Sequence, residues 1–322
     1  MTGERSFALV LLEMTLLVLF GPLVTGTIQK LKARLQSRQG AGFLQPYRDL
    51  AKLFRKSTVQ ADTASGLFRA IPVLVLAATV TAGALVPVVR AGTPAVPIGD
   101  ALMLLGLLAL ARFLTAVGAL DAGGAFGGMG ASREMTIAPL VEPVLMMVVF
   151  STALVAGTTE LGALAAHRGT SWIFAWHAAD FLGVTAMLVL LPAETGRIPV
   201  DNPDTHLELT MLHEGMLLEH SGPGLGCMLL ASHTRQIVTL GFVSALFFPI
   251  AVNAAGADGS LVGAGAVGLM LGLAAFAVKI LVLAIYLALV ESSYAKLRLF
   301  RVPQYLAIGF VCALTALALR IL

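Results

Sequence analysis

The chain has 322 residues, of which 58% are hydrophobic and 12% charged, and its mean hydropathy is +0.90. Soluble domains carry about twice that charge, and here the apolar residues run along the whole length, which excludes a water-soluble domain with a single anchor. The net charge of +3 gives no argument for nucleic acid, and the two cysteines, Cys227 and Cys312, offer neither a disulfide framework nor the roughly four thiolates of an iron–sulfur cluster.

The first apolar run lies near 6–28. Glu4 and Arg5 precede it and a basic segment follows it, the reverse of a secretory signal, so it reads as a retained span. The loop 29–68 comes next and holds Lys30, Lys32, Arg34, Arg38, Arg48, Lys52, Arg55 and Lys56. Within it, Pro46 opens a short helix in which Tyr47, Leu50, Leu53 and Phe54 share one face, flanked by bases. That pattern predicts an interfacial amphipathic helix; a plain positive-inside anchor is the other reading. Further apolar runs lie near 69–90, 100–120, 135–158, 172–191, 223–250, 262–290 and 304–322. Each is close to the roughly 20 residues that a spanning helix needs, and none shows the period-2 alternation of a barrel. The expected fold is all-α, a transmembrane bundle of about eight spans forming a single integral membrane domain over 1–322. Placing loop 29–68 inside also puts Arg133, Arg197, Lys296, Arg298 and Arg301 inside, and leaves only Arg5, Arg90, Arg168 and Arg320 outside. Both termini are therefore expected on the outer side. There is no internal repeat to support an inverted-repeat transporter.

The second long inside loop, 192–222, is the most acidic segment: PAETGRIPVDNPDTHLELTMLHEGMLLEHSG. Residues 205–220 lack Pro and hold only Gly215, so they predict a helix, with Glu208 and Glu219 on one face. His206, His213 and His220 form a second stripe. Their seven-residue spacing is about 10 Å along a helix, too far for one metal, so no metal site is expected. Glu13, Arg112, Glu142, Asp180, Lys279 and Arg235 fall within spans. Each costs at least about 2.5 kcal/mol at the bilayer centre unless paired or hydrated. For each, a buried structural pair and a proton-relay step are both open; for Glu13 a hydrogen bond between helices is favoured. Glu142 stands beside Pro143, which has no N–H to give to the carbonyl of Pro139. A lone, partly desolvated carboxylate in a hydrated pocket is expected there, with pairing to Arg112 or Lys279 as the alternative.

The motifs ETGRIPVD, HLEL and LLEHSG, with RQGAGFLQPYRDLAKLF in the first loop, resemble the quinone-site membrane subunit shared by respiratory complex I and energy-converting hydrogenases. DNPDTHLELTMLHEGMLLEHSG, GGMGASRE and ESSYAKLRLFRVPQYL are similar to the membrane anchor of formate hydrogenlyase and hydrogenase-4-type complexes. The resemblance runs from about 20 to 310. The loop departs from complex I in its length after Glu208 and in His220, which stands where that family has Tyr. The resemblance implies a non-catalytic subunit, bound to the inner membrane, that couples redox to proton (or sodium) movement. It carries no cofactor of its own. A nickel–iron large subunit, an iron–sulfur small subunit and antiporter-like membrane subunits are the implied partners. Carried over from the family, Glu142, Glu194 and Glu208 are relay candidates. Asp180, Glu214, Glu219 and Glu291 join them by position, with Lys279 and Arg235 tuning them electrostatically. Arg38, Gln45, Arg48, Asp49, Lys52, Arg133, Arg197 and Asp201 are expected to dock the soluble arm. A quinone-site subunit of complex I and a stand-alone transporter are the rival readings.

Overall fold

The computed structural model describes residues 7–61, 63–89, 100–169, 176–201, 212–248 and 265–322. Among them ten α-helices form the bundle: α1 (Phe7–Leu35), α2 (Gln45–Arg55), α3 (Gly66–Leu85), α4 (Ala101–Asp121), α5 (Ala125–Ala156), α6 (Leu161–Gly169), α7 (Ala178–Glu194), α8 (Gly222–Phe247), α9 (Gly265–Ser293) and α10 (Val302–Ile321). The only strand-like pairing among these residues is a single bridge, Asp100 to Glu160.

α1, α3, α4, α5, α9 and α10 are long and apolar enough to cross a membrane. α7 and α8 coincide with the other two expected spans. α7 has 17 residues, just short of a full crossing. α8 has 26 residues, but the polar run from Ser232 to Gln236 interrupts it. The reason is its position. α8 packs against α1, α2, α3, α6, α7 and α9, and from Gln236 to Phe247 every residue is buried. A helix enclosed by other helices meets partners rather than lipid, so it can carry the polar groups that lipid-facing helices cannot. Gly21 of α1 makes one of these approaches possible: a Cβ there would stand 2.8 Å from the His233 carbonyl oxygen of α8.

The helix predicted at Pro46 is α2, with Pro46 in its first turn and Pro46 and Leu50 buried. α5 runs unbroken through Pro139 and Pro143. The helix predicted over 205–220 is described only from 212 onward. There the chain forms a four-residue 3-10 turn, Glu214–Leu217, rather than an α-helix. Glu208 and His206 lie outside the described residues. Asp201 holds this loop in place by accepting the backbone N–H groups of Leu212 (3.3 Å) and His213 (3.0 Å).

Candidate functional site

Arg112 stands in the middle of α4 and is buried. A guanidinium inside a bundle needs carboxylates, and two neighbouring helices supply three of them, α5 giving Glu134 and Glu142 and α7 giving Glu194. Its Nη2 donates to Glu194 Oε1 at 2.5 Å, and its Nη1 to Glu142 Oε1 at 3.4 Å. Its Nε lies 3.3 Å from Glu134 Oε1 but off hydrogen-bond alignment. The second oxygen of Glu194 accepts from Arg235 Nη2 of α8 at 3.1 Å. Glu142 is thus paired, not lone: it shares Arg112 with two other carboxylates, and its side chain keeps 39% of its exposure.

A second cluster adjoins the first. Glu291 of α9 accepts from Arg197 Nη1 at 2.6 Å and lies 3.3 Å from Lys32 Nζ of α1. Arg197 Nη2 also donates to Gln236 Oε1 at 3.2 Å, and Thr25 Oγ1 donates to the same oxygen at 2.6 Å. Arg235 and Gln236 are consecutive residues of α8, while Glu194 and Arg197 flank the turn that ends α7. The two clusters therefore form one polar band from α5 across α4, α7 and α8 to α9 and α1. A cavity of about 20 Å³ lies against Glu134, Glu194, Asp201, His213, Arg235 and Gln236. That is room for one water beside several polar partners.

Not every expected relay residue joins this band. Asp180 is fourteen residues before Glu194, about 21 Å along α7. It accepts from Arg320 at 2.5 Å, pairs with Arg168, and takes the His177 N–H at 3.0 Å. It ties α6, α7 and α10 together at the other end of the bundle. Lys279 is twelve residues before Glu291 in α9, about 18 Å along the helix. Glu214 is part-exposed in the 3-10 turn. The Glu219 carboxylate lies against Gly124, at the N-terminus of α5, where any Cβ would overlap it. Negative charge is favoured at such a terminus. Glu13 is fully buried and accepts the Val89 N–H at 2.9 Å, beyond the end of α3.

Two expected docking residues are also internal. Arg197 is committed to Glu291 and Gln236. Asp201 is buried, bonded to Lys296 at 3.0 Å as well as to the loop backbone. Arg38, Arg48, Asp49 and Lys52 are exposed, while Gln45 and Arg133 are part-exposed. Glu134, Lys32 and Gln236 were missed as members of the band. Glu134 stood in the GGMGASRE motif, and Lys32 stood among the bases that set orientation. Their partners lie far away in sequence, so no spacing pointed to them.

His220 stacks face to face on Phe68, with ring centroids 4.2 Å apart. Burial pushes its pKa down to about 4. His213 is also pushed down, first by burial and then by Arg235. Among the described residues no group of three or more His, Cys, Asp or Glu is arranged to hold a metal ion.

The family model described as NADH dehydrogenase matches residues 7–321. The chain belongs to this family. It is 35% identical to formate hydrogenlyase subunit 4 of Escherichia coli (strain K12), over 93% of this chain and 94% of that protein. It is 32% identical to hydrogenase-4 component C of the same organism, over 96% of this chain and 93% of that protein. NADH-quinone oxidoreductase subunit 8 of Rhodothermus marinus is 27% identical over 68% of this chain and 66% of its own length. Among solved structures, a chain of the archaeal membrane-bound sulfane sulfur reductase shares the fold, with a TM-score of 0.76 and 18% identity over 95% of this chain and 98% of that one. The protein is a multi-pass member of this family, homologous to subunits of membrane-bound respiratory complexes.

Proposed function

We propose that this chain is the membrane anchor of a nickel–iron hydrogenase complex of the formate hydrogenlyase type and links its redox step to proton movement. The observation that carries the coupling is the band itself. Around Arg112 and Arg235 stand three carboxylates, Glu134, Glu142 and Glu194. Two guanidiniums balance two of them, so one carboxylate is in surplus and can take a proton without leaving an arginine unpaired. Glu142 is the most exposed of the three, so it is the natural point of exchange. Glu194 holds the centre and Glu291 extends the band toward α1. Glu208, Glu214 and Glu219 belong to the acidic loop through which a proton reaches the band. Lys279, and Asp180 at the far end, are later steps in the same reading.

The redox chemistry belongs to the partners: a large subunit with the nickel–iron centre and a small iron–sulfur subunit. Antiporter-like membrane subunits complete the assembly in the inner membrane. Two cysteines in the whole chain are too few to ligate a cluster here. The fold in the membrane has eight spans, α7 and α8 included, with both termini outside and α2 lying at the inner interface. Arg38, Gln45, Arg48, Asp49, Lys52 and Arg133 form the docking floor, while Arg197 and Asp201 hold the loop behind it. The hydrogenase relatives match over 93% and 96% of the chain and the quinone-oxidoreductase relative over 68% of it, which favours the hydrogenase reading. Purification in mild detergent tests it. Hydrogenase and iron–sulfur subunits should come with the chain; a soluble NADH-oxidising module in their place, or the chain alone with transport activity, would overturn the assignment.

A further inference from the structure

Between α1, α8 and α9 lies an apolar crevice of about 500 Å³. Its α1 wall is one helical stripe: Leu16, Phe20, Leu23, Val24 and Thr27. Facing it, α9 presents Ala274, Ala277 and Ala284, whose short side chains leave the space between the helices unfilled. The one hydroxyl in the lining, that of Thr27, donates to the Leu23 carbonyl of its own helix at 2.8 Å. Phe20 and Leu281, each 45% exposed, stand at its mouth. The contact between Lys32 and Glu291, 3.3 Å, ties α1 to α9 at one end. Protein interiors are close-packed, and an empty void of this size forfeits the dispersion contacts of its whole lining. Water gains nothing there, because the walls offer it no partner. The crevice is built for a hydrocarbon chain.

The end of the stripe says which kind. On a 3.6-residue period, Arg34 falls within about 20° of Thr27 and Lys30 about 60° to one side. Lys32, about 140° away, points elsewhere, which agrees with its contact to Glu291. α1 has 29 residues and is about 43 Å long. The hydrocarbon core is about 30 Å thick, so Lys30 and Arg34 reach the headgroup layer directly below the crevice. Arg34 is exposed there, and Lys30 holds the adjoining loop through the Gln39 carbonyl at 2.5 Å. Two cations beyond the inner end of an apolar slot match an anionic headgroup whose acyl chain runs back into it. We propose that this crevice holds one acyl chain of an anionic phospholipid whose phosphate rests on Arg34 and Lys30.

The test is native mass spectrometry of the intact complex, exchanged into bilayer discs of phosphatidylcholine with or without phosphatidylglycerol and then returned to mild detergent. One phosphatidylglycerol per copy of this chain should stay bound. The double variant Lys30→Gln with Arg34→Gln should lower that retention about tenfold or more, given two lost charges near the headgroup. Ala277→Phe, which fills the slot, should abolish it. The double variant leaves the crevice walls intact, and Lys30→Gln can still donate to the loop, so it decides the matter even where Ala277→Phe fails to accumulate. Equal retention of the two lipids, an isoprenoid quinone as the retained molecule, or unchanged retention in the double variant would each overturn the proposal.

Discussion

Glu194 uses both of its oxygens on arginines: Oε1 lies 2.5 Å from Arg112 Nη2, and Oε2 lies 3.1 Å from Arg235 Nη2. It joins α4, α7 and α8, and it is buried. Removing its charge takes from Arg235 the carboxylate it is bonded to and from Arg112 its shortest contact, and breaking a buried pair costs about 3–5 kcal/mol. Glu194→Gln should therefore lower the melting temperature of the detergent-solubilised complex and its yield, read by fluorescence-detected size exclusion. A Gln variant as stable as the wild type would show that the pair is not structural.

Glu142 predicts the opposite pattern. It shares Arg112 with Glu134 and Glu194, so its loss leaves the arginine still paired. Glu142→Gln should assemble normally and keep dye-linked hydrogen oxidation nearly unchanged, while turnover-linked proton movement in sealed vesicles falls. Full proton movement in an intact Gln variant would remove Glu142 from the relay.

Asp180 separates bracing from relay at the far end of α7. It holds Arg168 and Arg320, and Arg168 also lies over the Phe247 ring at 5.2 Å. Asp180→Asn should loosen α6 and α10, lowering thermal stability by a few kcal/mol. If Asp180 is only a brace, proton movement per hydrogen should be unchanged in the vesicles that do form. A fall in that ratio without loss of stability would make it a relay step.

The pH response should report on His220. Its pKa in the folded protein is about 4, and its ordinary value is 6.5. The unfolded loop therefore binds the proton first. Stability from the neutral ring is fully present above about 6.5 and is lost as pH falls toward 4. Its Nε2 has no hydrogen-bond partner, so His220→Phe keeps the stack on Phe68 and loses no bond. That variant should melt at or above the wild-type temperature at neutral pH and show a flatter acid decline between pH 6.5 and 4. An unchanged acid decline would place the sensitive group elsewhere.

Orientation is open to a direct check. Single cysteines at Ser57 and Thr93 should react with membrane-impermeant reagents from opposite sides of sealed vesicles. Labelling of both from one side would remove the eight-span arrangement.

Composition and periodicity were enough for the class of the protein and the place of most of its helices, though α6 was not expected and α5 begins ten residues before the apolar run near 135. Apolar runs of about 20 residues leave the chain little choice but membrane helices, and α3, α4, α9 and α10 begin within a few residues of the expected places. Pro46 and the spacing of Tyr47, Leu50, Leu53 and Phe54 were enough for α2. Composition also marked which charges needed partners, Glu13 and Arg112 among them. Arg112 was one of two candidate partners for Glu142, but the identity of the other partners was not legible. Periodicity says which face of a helix a residue occupies, not which helix comes to that face. Arg112 meets Glu194 across 82 positions, and Arg197 meets Glu291 across 94. Only the packing of α4, α7, α8 and α9 brings them together. The same packing turned Arg197 and Asp201 inward, brought Arg168 and Arg320 to Asp180, and gave Glu142 the arginine that the local sequence lacked. Burial of a charge is affordable only where several helices supply the counter-charge at once, and that condition belongs to the tertiary structure.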